Sequence, residues 1–217
     1  MKNLLIITGP QGSGNHLFSR ILSTHPNVGG WKSLLEKYWV PSDEEPFAEY
    51  WVYPERLTAE QFEGYDYWLA NVSCPFFYDG VRYVPKILEV AERAKEFGIN
   101  IKIAIITRDM NINAHQQLRV RKEITTPIAQ EYYYNHLINS GFDIHFLSNE
   151  SLFLHREHYL RYAGRMLNFP IDCDNPEIFK FLDQDPNAKY VKHVDEYWLD
   201  KEVWHGIQSK DKRKSDK

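Results

Sequence analysis

Two cysteines in 217 residues, Cys74 and Cys173, stand far apart and in no paired spacing. That excludes a disulfide framework and a cysteine zinc site, and it fits a reducing compartment, the cytoplasm. Positive charge is not in excess either: 26 Lys and Arg face 30 Asp and Glu, for a formal charge of −4. A dedicated nucleic-acid binder carries a global basic field, so that class is set aside. No apolar run approaches the ~20 residues of a membrane span. The opening run Leu4–Ile7 is too short for a signal-peptide core and leads straight into Gly9-Pro10. Internal repeats and low-complexity linkers are missing too, so one domain over residues 1–208 is the economical reading. Residues 209–217 carry no apolar side chain to offset chain entropy and are expected to form a basic, disordered tail.

What is present is an alternation of strands and helices. Leu4–Thr8, Tyr67–Val72, Ile101–Thr107 and Asp143–Leu147 read as strands, the third most clearly. Helical spacing of apolar residues follows at His16–Ser23, Lys86–Phe97, about Asn113–Lys122, Pro127–Asn139 and His155–Leu167. This order predicts an α/β protein with a doubly wound, mostly parallel sheet and helices on both faces. Ligands of such sheets sit outside the carboxyl ends of the strands. Three polar clusters fall at those ends: Gly9–His16, Ser73–Tyr78 and Arg108–Gln116.

Gly9-Pro10-Gln11-Gly12-Ser13-Gly14-Asn15-His16 lies between a strand and a helix. Glycines there let the backbone turn so that successive N–H groups and the helix N-terminus face an anion. A turn that only packs strand on helix is the structural alternative. Against the nucleoside-triphosphate loop, both framing glycines match at Gly9 and Gly14. Asn15 stands where that loop has its phosphate-binding lysine, and His16 where it has the magnesium-binding hydroxyl. An ATP site is therefore disfavoured.

The stretch Gly9–Val28 resembles the opening of sulfotransferases that use 3′-phosphoadenosine 5′-phosphosulfate (PAPS), with a Ser-Gly-Thr-Thr-like loop, a helix and then His-Pro-x-Val, here His25-Pro26-Asn27-Val28. Tyrosylprotein and carbohydrate sulfotransferases are the most similar. The resemblance implies a three-layer P-loop-type fold, with Gly12, Ser13, Gly14, Asn15 and His16 holding the 5′-phosphosulfate. Arg108-Asp109 at a strand end is similar to that family's 3′-phosphate site, which pairs the arginine with a serine eight positions later. Here that position is Gln116, longer but still a hydrogen-bond donor. His115, Arg119 and Arg121 stand nearby, and a salt bridge from Arg108 to Asp109 or a helix carboxylate is the structural alternative. The product would be 3′,5′-ADP, and no metal is required.

Sulfuryl transfer asks for a base at the acceptor and a cation at the leaving oxygen besides the anion cradle. Family loops usually carry Lys or Arg where Gly12 stands, although Gly-Ser-Gly-Asn occurs among relatives. Lys32 is the candidate cation, with Glu36 or His16 as base; an exposed Lys32–Glu36 helix pair is the plain alternative. His25 reads as a capping or packing residue. The proline-studded segment 41–64 and the loop Phe76-Phe77-Tyr78 form either an acceptor wall over the open end of the sheet, with Tyr38 and Trp39, or part of the core. Tyr132–Tyr134 read as helix packing. The expected acceptor is a hydroxyl of a saccharide or small molecule, with no nucleic-acid or membrane partner. The alternatives are a P-loop nucleotide or nucleoside phosphotransferase and a non-catalytic nucleotide-binding relative.

Overall fold

The computed structural model of the chain describes residues 1–31, 41–183 and 187. Lys32, Glu36, Tyr38, Trp39 and the tail 209–217 lie outside the described residues. Five parallel strands form one sheet in the order β2-β3-β1-β6-β7: β1 (Asn3–Pro10), β2 (Val28–Gly29), β3 (Tyr67–Cys74), β6 (Asn100–Thr107) and β7 (Asp143–Ser148). β1 is central because its six interior residues, Leu4–Gly9, are all buried, as a strand covered on both faces requires. A two-stranded antiparallel hairpin, β4 (Phe76–Tyr78) and β5 (Val81–Tyr83), turns through Asp79-Gly80, both at positive φ.

Alternate residues of β1 feed two cores. Leu5 and Ile7 pack with Phe18, Ile21 and Leu22 of α1 (Asn15–Leu22), and with α5 (Asn149–Leu167) and α6 (Pro176–Leu182). Leu4 and Ile6 pack on the other face with α2 (Ile87–Glu96) and α4 (Thr126–Tyr132), which runs into a π-helical turn over Tyr133–Leu137. The result is the expected three-layer, doubly wound arrangement. Among the described residues, no helix is long and apolar enough to cross a membrane.

The segment 41–64 is four short 3-10 turns; of its aromatic side chains Phe47, Trp51 and Phe62 are core, and Tyr50 and Tyr53 pack half-buried against it. Phe47, Trp51, Leu57 and Phe62 are buried with Trp68 against the α2 face. Glu45 instead reaches Asn71, whose neighbour Ile7 faces α1. The segment therefore crosses past β3 between Glu45 and Phe47. Of the tyrosine trio, Tyr133 is buried against Thr8, Tyr132 accepts from the Ile87 N–H, and Tyr134 is exposed.

Candidate functional site at the carboxyl rim of the sheet

β1 ends in the loop and β6 ends beside it, so the two chemical clusters meet. Gly12 and Gly14 take left-handed φ of 84° and 109°. A Cβ on Gly14 would come within 2.2 Å of Asn149 Nδ2, and one on Gly12 within 2.8 Å of Gln116 Oε1. The absent loop cation thus has a packing reason: Gln116 and Asn113 fill the space above Gly12.

Side chains from α3 (Met110–Arg121), from α5 and from Arg108 just past the end of β6 fix the loop by its carbonyl oxygens. Gln117 Nε2 donates to Gln11 O at 2.6 Å, Arg108 Nη1 to Gly12 O at 2.7 Å, and Asn149 Nδ2 to Ser13 O at 3.3 Å. With its amide oriented to suit both neighbours, Asn113 donates to Gln11 O and Gly12 O at 3.1 Å each. In a trans peptide the N–H points opposite to the C=O. Holding the oxygens of Gln11 and Ser13 outward therefore turns the N–H groups of Gly12 and Gly14 the other way. The Ser13 N–H closes a turn on Pro10 O. α1 then starts at Asn15 with no side-chain cap and no acidic residue in its first turn, which leaves its positive end for an anion. Ser13 and Asn15 themselves are buried structural members: Ser13 Oγ donates to Asn15 Oδ1 (2.7 Å), and Asn15 Nδ2 to Gly9 O and Ser73 Oγ.

Arg108 and Gln116 are brought together, Nη1 donating to Oε1 at 2.5 Å. The Arg108 guanidinium is thereby fastened to the loop through Gly12 O, and its Nε, Nη1 and Nη2 are held by protein acceptors. Its Nε and Nη2 both donate to Asn187 Oδ1, at 2.9 and 2.5 Å. Asp109 caps α3, accepting from the N–H groups of Asn111 and Ile112.

His16, the second residue of α1, makes a contact that sequence reasoning missed. Its Nε2 lies 2.7 Å from Glu45 Oε1, and Asn71 Nδ2 donates to Glu45 Oε2 at 2.7 Å. Burial pushes the Glu45 carboxyl up from its ordinary range, while His16 and Asn71 pull it back down. The ring of Trp31 lies 5.2 Å from that of His16. His25 is a turn residue, its Nδ1 accepting from the Asn27 N–H. A groove lined by Pro54, Glu55, Glu89, Glu92, Arg93 and Glu96 shares no residue with the loop, and its four carboxylates repel phosphate.

No protein-family model matches the sequence, and no curated protein matches it significantly. Among solved structures, the crystal structure of mouse sulfotransferase SULT7A1 complexed with PAP overlays with a TM-score of 0.44 at 10% identity, over 87% of this chain and 66% of that one.

Proposed function

We propose that this chain binds 3′-phosphoadenosine 5′-phosphosulfate at the carboxyl rim of β1 and β6 and transfers its sulfuryl group to a hydroxyl of a saccharide or small molecule. The observation that carries the reading is Arg108 in contact with both Gly12 of the loop and Gln116, the residue eight positions on. A guanidinium beside an uncapped helix N-terminus suits a ligand with phosphate on both the 3′ and 5′ sides of its ribose. When bound, PAPS supplies the sulfuryl group and leaves as 3′,5′-ADP.

The loop N–H groups and the α1 N-terminus hold the 5′ anion and stabilise charge that builds on the leaving side. Arg108 and Gln116 hold the 3′-phosphate. His16 takes the proton of the acceptor hydroxyl as that oxygen attacks sulfur. Lys32 remains the candidate cation at the leaving oxygen on sequence grounds, and Lys32→Ala is expected to lower turnover and leave 3′,5′-ADP affinity intact.

A second reading, a non-catalytic relative that keeps the nucleotide site, is favoured by the neutral amide of Asn187 in the fork of Arg108. Calorimetry with 3′,5′-ADP, 5′-AMP and ATP with magnesium sorts the classes. Preference for 3′,5′-ADP supports both readings above, and magnesium-dependent ATP binding overturns them in favour of a phosphotransferase. Transfer of labelled sulfate from PAPS to a panel of hydroxyl acceptors then separates enzyme from binding protein.

A further inference from the structure

Three acidic residues follow one another at Asp43, Glu44 and Glu45, and only the third is drawn inward. Asp43 and Glu44 are exposed, whereas the Glu45 side chain keeps 5% of its exposure. A buried carboxylate is unfavourable unless its oxygens are matched by donors, and here each has one: His16 Nε2 on Oε1 and Asn71 Nδ2 on Oε2. An isolated structural ion pair would not need its histidine at the rim. His16 is 31% exposed at its side chain and sits two residues after Gly14 at the start of α1.

We propose that Glu45, held in place by Asn71, is a positioning residue that makes His16 the base for the acceptor hydroxyl; this rests on the sulfuryl-transfer reading above. An ionised carboxylate only accepts hydrogen bonds, so Nε2 of His16 carries a proton toward Glu45. The neutral ring then has its lone pair on Nδ1, to which no described residue makes a hydrogen bond. The acceptor hydroxyl gives its proton to Nδ1, its oxygen forms the new S–O bond, and the bond from sulfur to the 5′-phosphate oxygen breaks with its electron pair on 3′,5′-ADP. The imidazolium so formed faces Glu45 and afterwards loses its proton to water. Among the described residues, Glu45 is the ionisable group in contact with His16. Trp31 covers the ring without a charge, and Arg20, one turn along α1, lies over the Phe181 ring. Glu45 is too buried to meet the acceptor and acts only through His16.

The test combines kinetics with proton NMR on the full chain. Glu45→Gln is expected to lower kcat about a hundredfold with the KM for PAPS and the affinity for 3′,5′-ADP unchanged. His16→Gln is expected to show the same loss, and the double variant no further loss, because the two act as one unit. The His16 Nε2 proton should give a downfield, exchange-protected resonance that disappears in His16→Gln and moves upfield in Glu45→Gln. If Glu45→Gln does not fold, Asn71→Ser carries the same kinetic test with a smaller loss. Independent, additive losses, or a proton resonance unmoved by Glu45→Gln, overturn the inference by themselves. A wild-type chain that shows the resonance yet neither binds 3′,5′-ADP nor transfers sulfate overturns the functional reading, and the catalytic role of Glu45 with it.

Discussion

Replacing Gly14 with alanine puts a defined strain into the loop. The residue sits at φ 109°, ψ 14°, a left-handed conformation that costs an L-residue about 1–2 kcal/mol. The new Cβ would also come 2.2 Å from Asn149 Nδ2, a distance no packed pair sustains. Asn149 is fully buried and cannot swing into solvent, so it must give up its bond to Ser13 O. A lost neutral hydrogen bond adds about 0.5–1.5 kcal/mol. The sum is about 1.5–3.5 kcal/mol, which in a chain of this length lowers Tm by roughly 3–14 °C. Thermal melting followed by circular dichroism reads this directly. Asn149→Ala in the same chain removes the clash but not the backbone strain. The double variant should therefore be less destabilised than the two single changes added, by about 1 kcal/mol. A melting temperature unchanged in Gly14→Ala, or strict additivity with Asn149→Ala, would refute the loop geometry on which the anion cradle depends.

Three further outcomes follow from the same contacts. Asn187 accepts from both Nε and Nη2 of Arg108, so a phosphate must displace it. Asn187→Ala should tighten 3′,5′-ADP binding by up to about tenfold, the equivalent of roughly 1.4 kcal/mol, and weaker binding would contradict the displacement. Burial raises the Glu45 carboxyl above its unfolded value of 4.5, so ionising it costs the folded chain stability even with His16 and Asn71 as donors. Its contribution to stability is full below 4.5 and falls as pH rises through the raised folded value. Glu45→Gln should abolish that decline, and parallel stability curves for the two proteins in urea titrations at several pH values would refute it. Phe62 is fully buried between Phe47 and Trp68, and Phe62→Ala should cost about 3–5 kcal/mol in urea unfolding. A loss under about 1 kcal/mol with a selective rise in acceptor KM would restore the acceptor-wall reading.

The strands were legible because parallel strands covered on both faces are near-continuous apolar runs, as Leu4–Ile7 and Ile101–Ile106 are. Helix starts were read too late wherever a polar cap precedes the first apolar residue. α3 begins at Met110 because Asp109 caps it, and α5 at Asn149 because Ser148 Oγ accepts from the Ser151 N–H. The hairpin was missed: Phe76-Phe77-Tyr78 reads as a loop because three-residue strands carry no clear alternation, although the Asp79-Gly80 pair that turns it is a local signal. The loop and Arg108 stand out in sequence because glycine spacing and a strand-end arginine are local patterns. Glu45 does not, since its meaning comes from a histidine 29 positions earlier and an asparagine 26 positions later. Nor does sequence announce that Asn187 reaches Arg108, since the contact spans 79 positions. The aromatic segment left wall and core both open, because burial of Phe47, Trp51 and Phe62 is decided by which face of the sheet the chain crosses to, and composition is silent on that.

The most direct test of the rim as a 3′-phosphonucleotide site is a two-by-two calorimetric titration: 3′,5′-ADP and 5′-AMP, each against the native chain and Arg108→Ala. The native chain should bind 3′,5′-ADP more tightly by about tenfold or more, and Arg108→Ala should erase that preference while still binding 5′-AMP through the loop. An equal preference for the 3′-phosphate with and without Arg108, or no binding of either nucleotide, contradicts the account.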